Sequence, residues 1–174
     1  EFFSVEIGVR KGLGSKIIMD TFMERLKGKN YMHIGIDPYG HRKYQHYDDG
    51  PKIQRDYTDT MMEEMMEDFK EWRVIPDGMT LENFHHCWMT DQSFMNGGSQ
   101  YSNRHFNFVH FDGPHMSKDV MLESVWFANR AYKGTRFVFN DYPKYKMNMI
   151  EHALTLFGFE PIDKGENKYC LEKK

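Results

Sequence analysis

The sequence predicts a doubly wound α/β domain: a mostly parallel sheet of seven strands, covered by helices on both faces and closed by a C-terminal antiparallel hairpin. Three observations lead there. Short apolar runs alternate with helical patterns five times along the chain, as parallel strands joined by crossover helices require. Most of the runs stop at an acid or a glycine. The length, 174 residues, suits one buried core and is too short for two, so residues 1–174 read as a single domain.

The elements follow in order. Phe2 to Ile7 is a strand that runs into Gly8, Gly12 and Gly14. Ser15 is placed to cap a helix whose Ile18, Met19, Phe22, Met23 and Leu26 share a face, and Gly28 is placed to end it. Tyr31 to Ile36 alternates as a second strand, ends on Asp37, and is stopped by Pro38. Residues 39–57 are polar and aromatic without a period and read as a long loop.

Thr60 with Glu63 fits a capping box ahead of a helix with Met61, Met62, Met65, Met66, Phe69 and Trp72 as its stripe. That stripe reads as core packing, the usual use of methionine. After Pro76 and Gly78, Phe84 to Thr90 is a third strand ending at Asp91. Phe106 to Phe111 is a fourth, broken by Asp112, Gly113 and Pro114. Ser117 is placed to cap the next helix, with Val120, Met121, Val125 and Trp126 on it. Thr135 to Phe139 is a fifth strand that ends on Asn140 and Asp141. Pro143 stands near the start of a helix lined by Met147, Ile150, Leu154 and Phe157, and Phe159 to Ile162 pairs with Tyr169 to Leu171 as the closing hairpin.

Composition narrows the function. Forty per cent hydrophobic and 28% charged residues describe an ordinary globular protein, with 14 Met and 14 Phe above the usual share. A net charge of −3 gives no electrostatic reason to expect nucleic acid or an anionic membrane as partner. Cys87 and Cys170 are too few and too far apart for a disulfide framework or a zinc site. No apolar run approaches the ~20 residues needed to span a bilayer, and no basic region with a hydrophobic stretch opens the chain, so a cytoplasmic protein is expected. Because the chain begins directly in a strand, a natural segment before Glu1 is compatible with this reading, as is a homo-oligomer.

In such a sheet ligands sit beyond the carboxyl ends of the strands, where the strand order reverses. Val5-Glu6-Ile7-Gly8-Val9-Arg10-Lys11-Gly12 places an acid and a spaced glycine pair there, and glycine lets backbone approach a ligand. The spacing is not the G-x-G-x-x-G that seats a pyrophosphate, so it suits a ligand without phosphates. Asp37 can accept hydrogen bonds from both ribose hydroxyls of a nucleoside; a turn-forming Asp before proline is the plainer alternative. His85-His86-Cys87 is an unsuitable metal site, because strand neighbours point to opposite faces.

The segment VEIGVRKGLGS resembles the first motif of class I S-adenosylmethionine-dependent methyltransferases. That resemblance implies a Rossmann-like methyltransferase sheet and assigns Glu6, Gly8 and Gly12 to S-adenosylmethionine. It places Asp37 on the ribose, with Asp91 and Ser93 near adenine; ordinary Asx and Ser caps explain the latter pair as well. Phe108-Val109-His110-Phe111-Asp112-Gly113-Pro114-His115 and Phe137-Val138-Phe139-Asn140-Asp141-Tyr142 are similar to the branch of metal-dependent macrolide sugar O-methyltransferases and cephalosporin-hydroxylase-like proteins. In that branch the positions of Asp112, Asn140 and Asp141 hold a divalent cation, by default Mg2+, and Asp112 also borders the cofactor.

The implied chemistry is O-methylation of a small hydroxylated substrate, a sugar or glycoside, with a hard cation lowering the hydroxyl pKa. Two residues depart from the pattern. Pro114 stands where a second acid is common, and Asn140 offers a neutral carbonyl in place of a carboxylate. His115 is then the candidate base beside Asp112, while His110 lies within its strand as a packed residue. A methyltransferase-like binding module without catalysis is the alternative reading. A nicotinamide-dependent dehydrogenase shares the Asp37 logic but lacks the phosphate fingerprint.

Overall fold

The computed structural model describes residues 1–27, 30–40, 42–54, 57–72 and 83–174. The expected stops at Gly28, Pro76 and Gly78 lie outside the described residues. The apolar runs form strands where expected: β1 (Phe2–Ile7), β2 (Tyr31–Ile36) and β5 (Phe84–Cys87) on one side, β6 (Phe106–Phe111) and β7 (Ala131–Asn140) on the other. The hairpin of β8 (Phe159–Lys164) and β9 (Lys168–Lys173) closes the sheet. Between them lie helices α1 (Leu13–Leu26), α2 (Asp59–Trp72), the short α3 (Asp91–Ser93), α4 (Ser117–Ala128) and α5 (Met147–Thr155).

The seven-stranded sheet has the order β5-β2-β1-β6-β7-β9-β8. Every pairing from β5 to β7 is parallel, and β9 runs antiparallel to both β7 and β8. Burial on both faces explains why the inner strands read as continuous apolar runs. Met19, Met65 and Phe69 cover one face from α1 and α2, so the methionine stripe is core packing. Val120, Phe127, Ile150 and Leu154 cover the other from α4 and α5.

Several local expectations are corrected. Residues 39–57 are not wholly irregular: β3 (Lys43–Gln45) and β4 (Lys52–Gln54) pair antiparallel as a separate small sheet. The third strand stops at Cys87, where Met89 N–H turns back onto the Cys87 carbonyl at 2.8 Å. The fifth strand begins earlier, at Ala131, with an irregular register opposite Phe106 to Phe108.

The caps differ too, each for a tertiary reason. The oxygen that caps α2 is Thr58 Oγ1, accepting Met61 N–H at 3.0 Å, not that of Thr60. Ser15 gives its hydroxyl to Glu6 and leaves α1 without a side-chain cap. The first N–H of α4, on Ser117, is accepted by Asp48 Oδ1 at 2.9 Å, so a residue from the hairpin loop does the capping expected of Ser117 itself.

Candidate functional site

The order reverses between β1 and β6, and the loops leaving the strands diverge there to open a crevice. Its volume is about 750 Å³. Two walls face each other. Gly8, Asp37 and Asp112 come from the strand ends and Asp91 from the start of α3, and the β3–β4 hairpin brings His46 across from them.

The glycine loop is held by Asp37. This buried carboxylate accepts Arg10 N–H on Oδ2 at 2.9 Å and Tyr39 N–H on Oδ1 at 3.1 Å. A carboxylate can also accept from vicinal hydroxyls. Burial raises the Asp37 pKa, and the backbone N–H groups of Arg10, Tyr39 and Val9 oppose that rise. Gly8 is required for a steric reason: at φ 88° it passes so close to the next loop that a Cβ would overlap the Asp112 carbonyl. Gly14 likewise leaves room for the Glu6 carboxylate.

Glu6 is not at the crevice. It is 1% exposed and does not line the cavity; Ser15 donates to one oxygen and His110 Nδ1 lies 2.9 Å from the other. Behind Ser15 the polar chain continues inward through His33 Nε2 at 3.0 Å and, from His33 Nδ1, to Ser4 Oγ at 2.7 Å. Burial lowers the His33 pKa to about 4, so this imidazole is neutral. Gly12 faces the Phe69 ring, and the Ser93 hydroxyl accepts from Thr90 at 3.0 Å; neither lines the crevice.

The opposite wall is built around His115, which is 4% exposed yet lines the cavity. Its ring stacks between Tyr47 and Tyr145, at 5.8 and 5.9 Å. Its Nδ1 lies 3.1 Å from His46 Nε2, its Nε2 is buried 3.9 Å from Asp112 Oδ1, and the Asn140 backbone is a further hydrogen-bonding neighbour of the ring. Burial lowers the His115 pKa, favouring the neutral ring, and raises that of Asp112. A neutral imidazole with its hydrogen on Nδ1 would carry its lone pair on Nε2, the state a base requires.

Asp112, Asn140 and Asp141 all line the crevice, as their places at strand ends imply. They do not form an open cage of oxygens. Asn140 Nδ2 donates to Asp112 Oδ1 at 2.6 Å, and Asn140 Oδ1 accepts from Lys168 Nζ at 2.8 Å. A divalent ion ligated by that oxygen would share it with an ammonium, and like charges so close repel strongly. Among the described residues, the group compact enough to chelate is Glu6, His110 and Asp112, with donor atoms within 4.8 Å of one another. There too the atoms are engaged, because Lys168 Nζ lies 2.9 Å from His110 Nε2. Neither donor set fits a divalent ion without displacing Lys168.

His46, Lys168 and the hairpin carried no signal in sequence. Each reaches its partner across a tertiary contact, and no local spacing encodes that. Glu123 was also missed: wholly buried on α4, its carboxyl is held well above the usual range, first by burial and then by Asp91 at the crevice.

No family model matches the sequence, and no curated protein matches it either. Solved structures do share its architecture. CalS11, a calicheamicin methyltransferase, superposes with a TM-score of 0.66 at 11% identity, over 99% of this chain and 72% of that one. This is the methyltransferase fold. The O-methyltransferase NovP has the same fold with a TM-score of 0.69 at 14% identity, over 100% of this chain and 72% of its own. SMU.1697c of Streptococcus mutans, solved in complex with SAH, gives 0.57 at 9%, over 100% and 89% of the two chains. Within the methyltransferase fold, the crevice described above lies at the strand-order reversal. No described helix is long and apolar enough to cross a membrane.

Proposed function

We propose that this chain is an S-adenosylmethionine-dependent methyltransferase that methylates a hydroxyl group of a small substrate, a sugar or glycoside. The observation that carries the reading is that Asp37, a candidate ribose acceptor, and His115, the candidate base, line one crevice at the reversal of strand order. The company of NovP, an O-methyltransferase, supports oxygen as the acceptor atom, and SMU.1697c with SAH supports the cofactor.

S-adenosylmethionine bound there would supply a methyl group activated by its sulfonium. The residues of this chain do the rest. Asp37 accepts from the ribose while keeping the glycine loop in place. The Tyr47 and Tyr145 rings fix the plane of His115, and His46 fixes its Nδ1. His115 Nε2 would take the proton of the substrate hydroxyl, freeing that oxygen to accept the methyl group that the sulfonium would give up. Asp112, 3.9 Å from Nε2, stabilises the imidazolium that results.

Calorimetry with S-adenosylhomocysteine tests the cofactor half, and a methyl-transfer screen over sugars, glycosides and catechols tests the acceptor half. Binding in the micromolar range with turnover on a hydroxylated acceptor is expected. A folded protein that releases no heat at millimolar ligand overturns the proposal. Binding without turnover on any acceptor would favour the binding-module reading, which Pro114 at the crevice and Asn140 motivate.

A further inference from the structure

We propose that the ammonium of Lys168 is the built-in cation of this site, standing where a divalent ion would be held at the ends of β6 and β7, so that the site excludes metal. Three observations carry it. Register is the first: β9 pairs antiparallel with β7 so that Lys168 lies directly opposite Asn140. That pairing delivers the side chain to the strand ends from a neighbouring element.

Hydrogen bonding is the second. Lys168 Nζ makes contacts of 2.8 Å to Asn140 Oδ1 and 2.9 Å to His110 Nε2. An ammonium only donates, so His110 accepts on Nε2 and carries its hydrogen on Nδ1, which donates to Glu6 at 2.9 Å. Asn140, with its oxygen on Lys168, turns its N–H onto Asp112. The hydrogen bonds run outward from Lys168, through His110 to Glu6 and through Asn140 to Asp112, and no lone pair faces another.

Charge is the third. Glu6 and Asp112 belong to the one compact group of possible ligands among the described residues, and they flank His110. Two carboxylates that near one another need a positive charge beside them, and Lys168 is the cation bonded into their network. A neutral asparagine is then the fitting residue at position 140, because it can accept from Lys168 and donate to Asp112 at once, which a carboxylate cannot. Asn140 and Lys168 therefore work as a pair, and Lys168 is a positioning residue acting through Asn140 and Asp112.

The catalytic consequence rests on the proposed methyl transfer; the exclusion of metal does not. The test is Mn2+ binding followed by electron paramagnetic resonance, on the wild type, Lys168→Arg, Lys168→Gln and the double variant Asn140→Asp/Lys168→Gln. Circular dichroism confirms that each is folded. The wild type and Lys168→Arg should leave the free Mn2+ signal undiminished into the millimolar range, because each keeps a cation. The double variant, with a carboxylate added and the ammonium gone, should bind at least tenfold more tightly, and a further Asp112→Ala change should abolish that gain.

Wild-type binding that is lost in Asp112→Ala overturns the proposal, and so does a double variant no better than the wild type. Should Lys168→Gln misfold, Lys168→Arg and Asn140→Asp alone still decide it, since Asn140→Asp beside an intact ammonium should not bind Mn2+. Calorimetry with S-adenosylhomocysteine on the same samples keeps the two ideas apart. Absence of cofactor binding defeats the methyltransferase proposal and leaves the Mn2+ result to stand by itself.

Discussion

The two walls of the crevice are built in different ways. The wall under Asp37 is made of strand ends and a glycine loop, with the carboxylate bonded to backbone N–H groups from residues 10 and 39. The wall around His115 is made of side chains borrowed from elsewhere: His46 and Tyr47 come from the hairpin region, and Tyr145 from the approach to α5. Backbone-held geometry follows from the fold class. Borrowed geometry depends on a particular docking of one segment on another.

The largest expected effect separates the walls outright. His115→Ala should cut kcat by about 10³-fold, within the usual span for a general base, while S-adenosylhomocysteine affinity stays within about twofold. An equal loss of cofactor affinity would show that the walls are not independent. The pH profile sharpens this. Because burial lowers the His115 pKa from its ordinary 6.5, the neutral base persists as pH falls past that value, so kcat/KM should decline only below it.

Next in size is a stability effect behind the backbone-built wall. His33 is neutral when folded, with a pKa of about 4, and titrates near 6.5 when unfolded. The unfolded chain therefore binds the extra proton as pH falls through that window. Stability is full above 6.5 and drops by about 3 kcal/mol as pH approaches 4. Urea unfolding should show this slope reduced in His33→Gln, and an unchanged slope would mean that the imidazole is hydrated in the fold.

Asp37→Ala is the counterpart of His115→Ala. Losing the ribose acceptor and the anchor of the glycine loop should weaken S-adenosylhomocysteine binding about 100-fold by calorimetry, with acceptor KM little changed. The smallest effect belongs to the borrowed contact behind the base. His46→Phe keeps an aromatic ring but not the Nε2 contact, and should lower kcat about tenfold without altering cofactor affinity. Rates equal to the wild type would reduce the hairpin to a cover.

Legibility divides along the same line. That Gly8, Asp37, Asp112 and Asn140 line the crevice is legible because a strand followed by a breaker fixes where its last side chains go. Glu6 belongs to the same segment as Gly8 but does not line the crevice. It stands one residue before the strand end, so it points into the sheet layer, where Ser15 and His110 wait for it. The cap of α4 shows the same limit, since the sequence offers Ser117 and the fold supplies Asp48.

By itself the sequence determined the alternation of strands and helices, the sheet they form and the crevice at its reversal. Periodicity and breakers act within a few residues, and chirality then leaves few ways to assemble the pieces. Only the tertiary structure decided that His46 would back His115 and that Lys168 would sit against Asn140. Those contacts join residues 69 and 28 positions apart, and their geometry comes from hairpin docking and strand register, which no local pattern of residue types specifies.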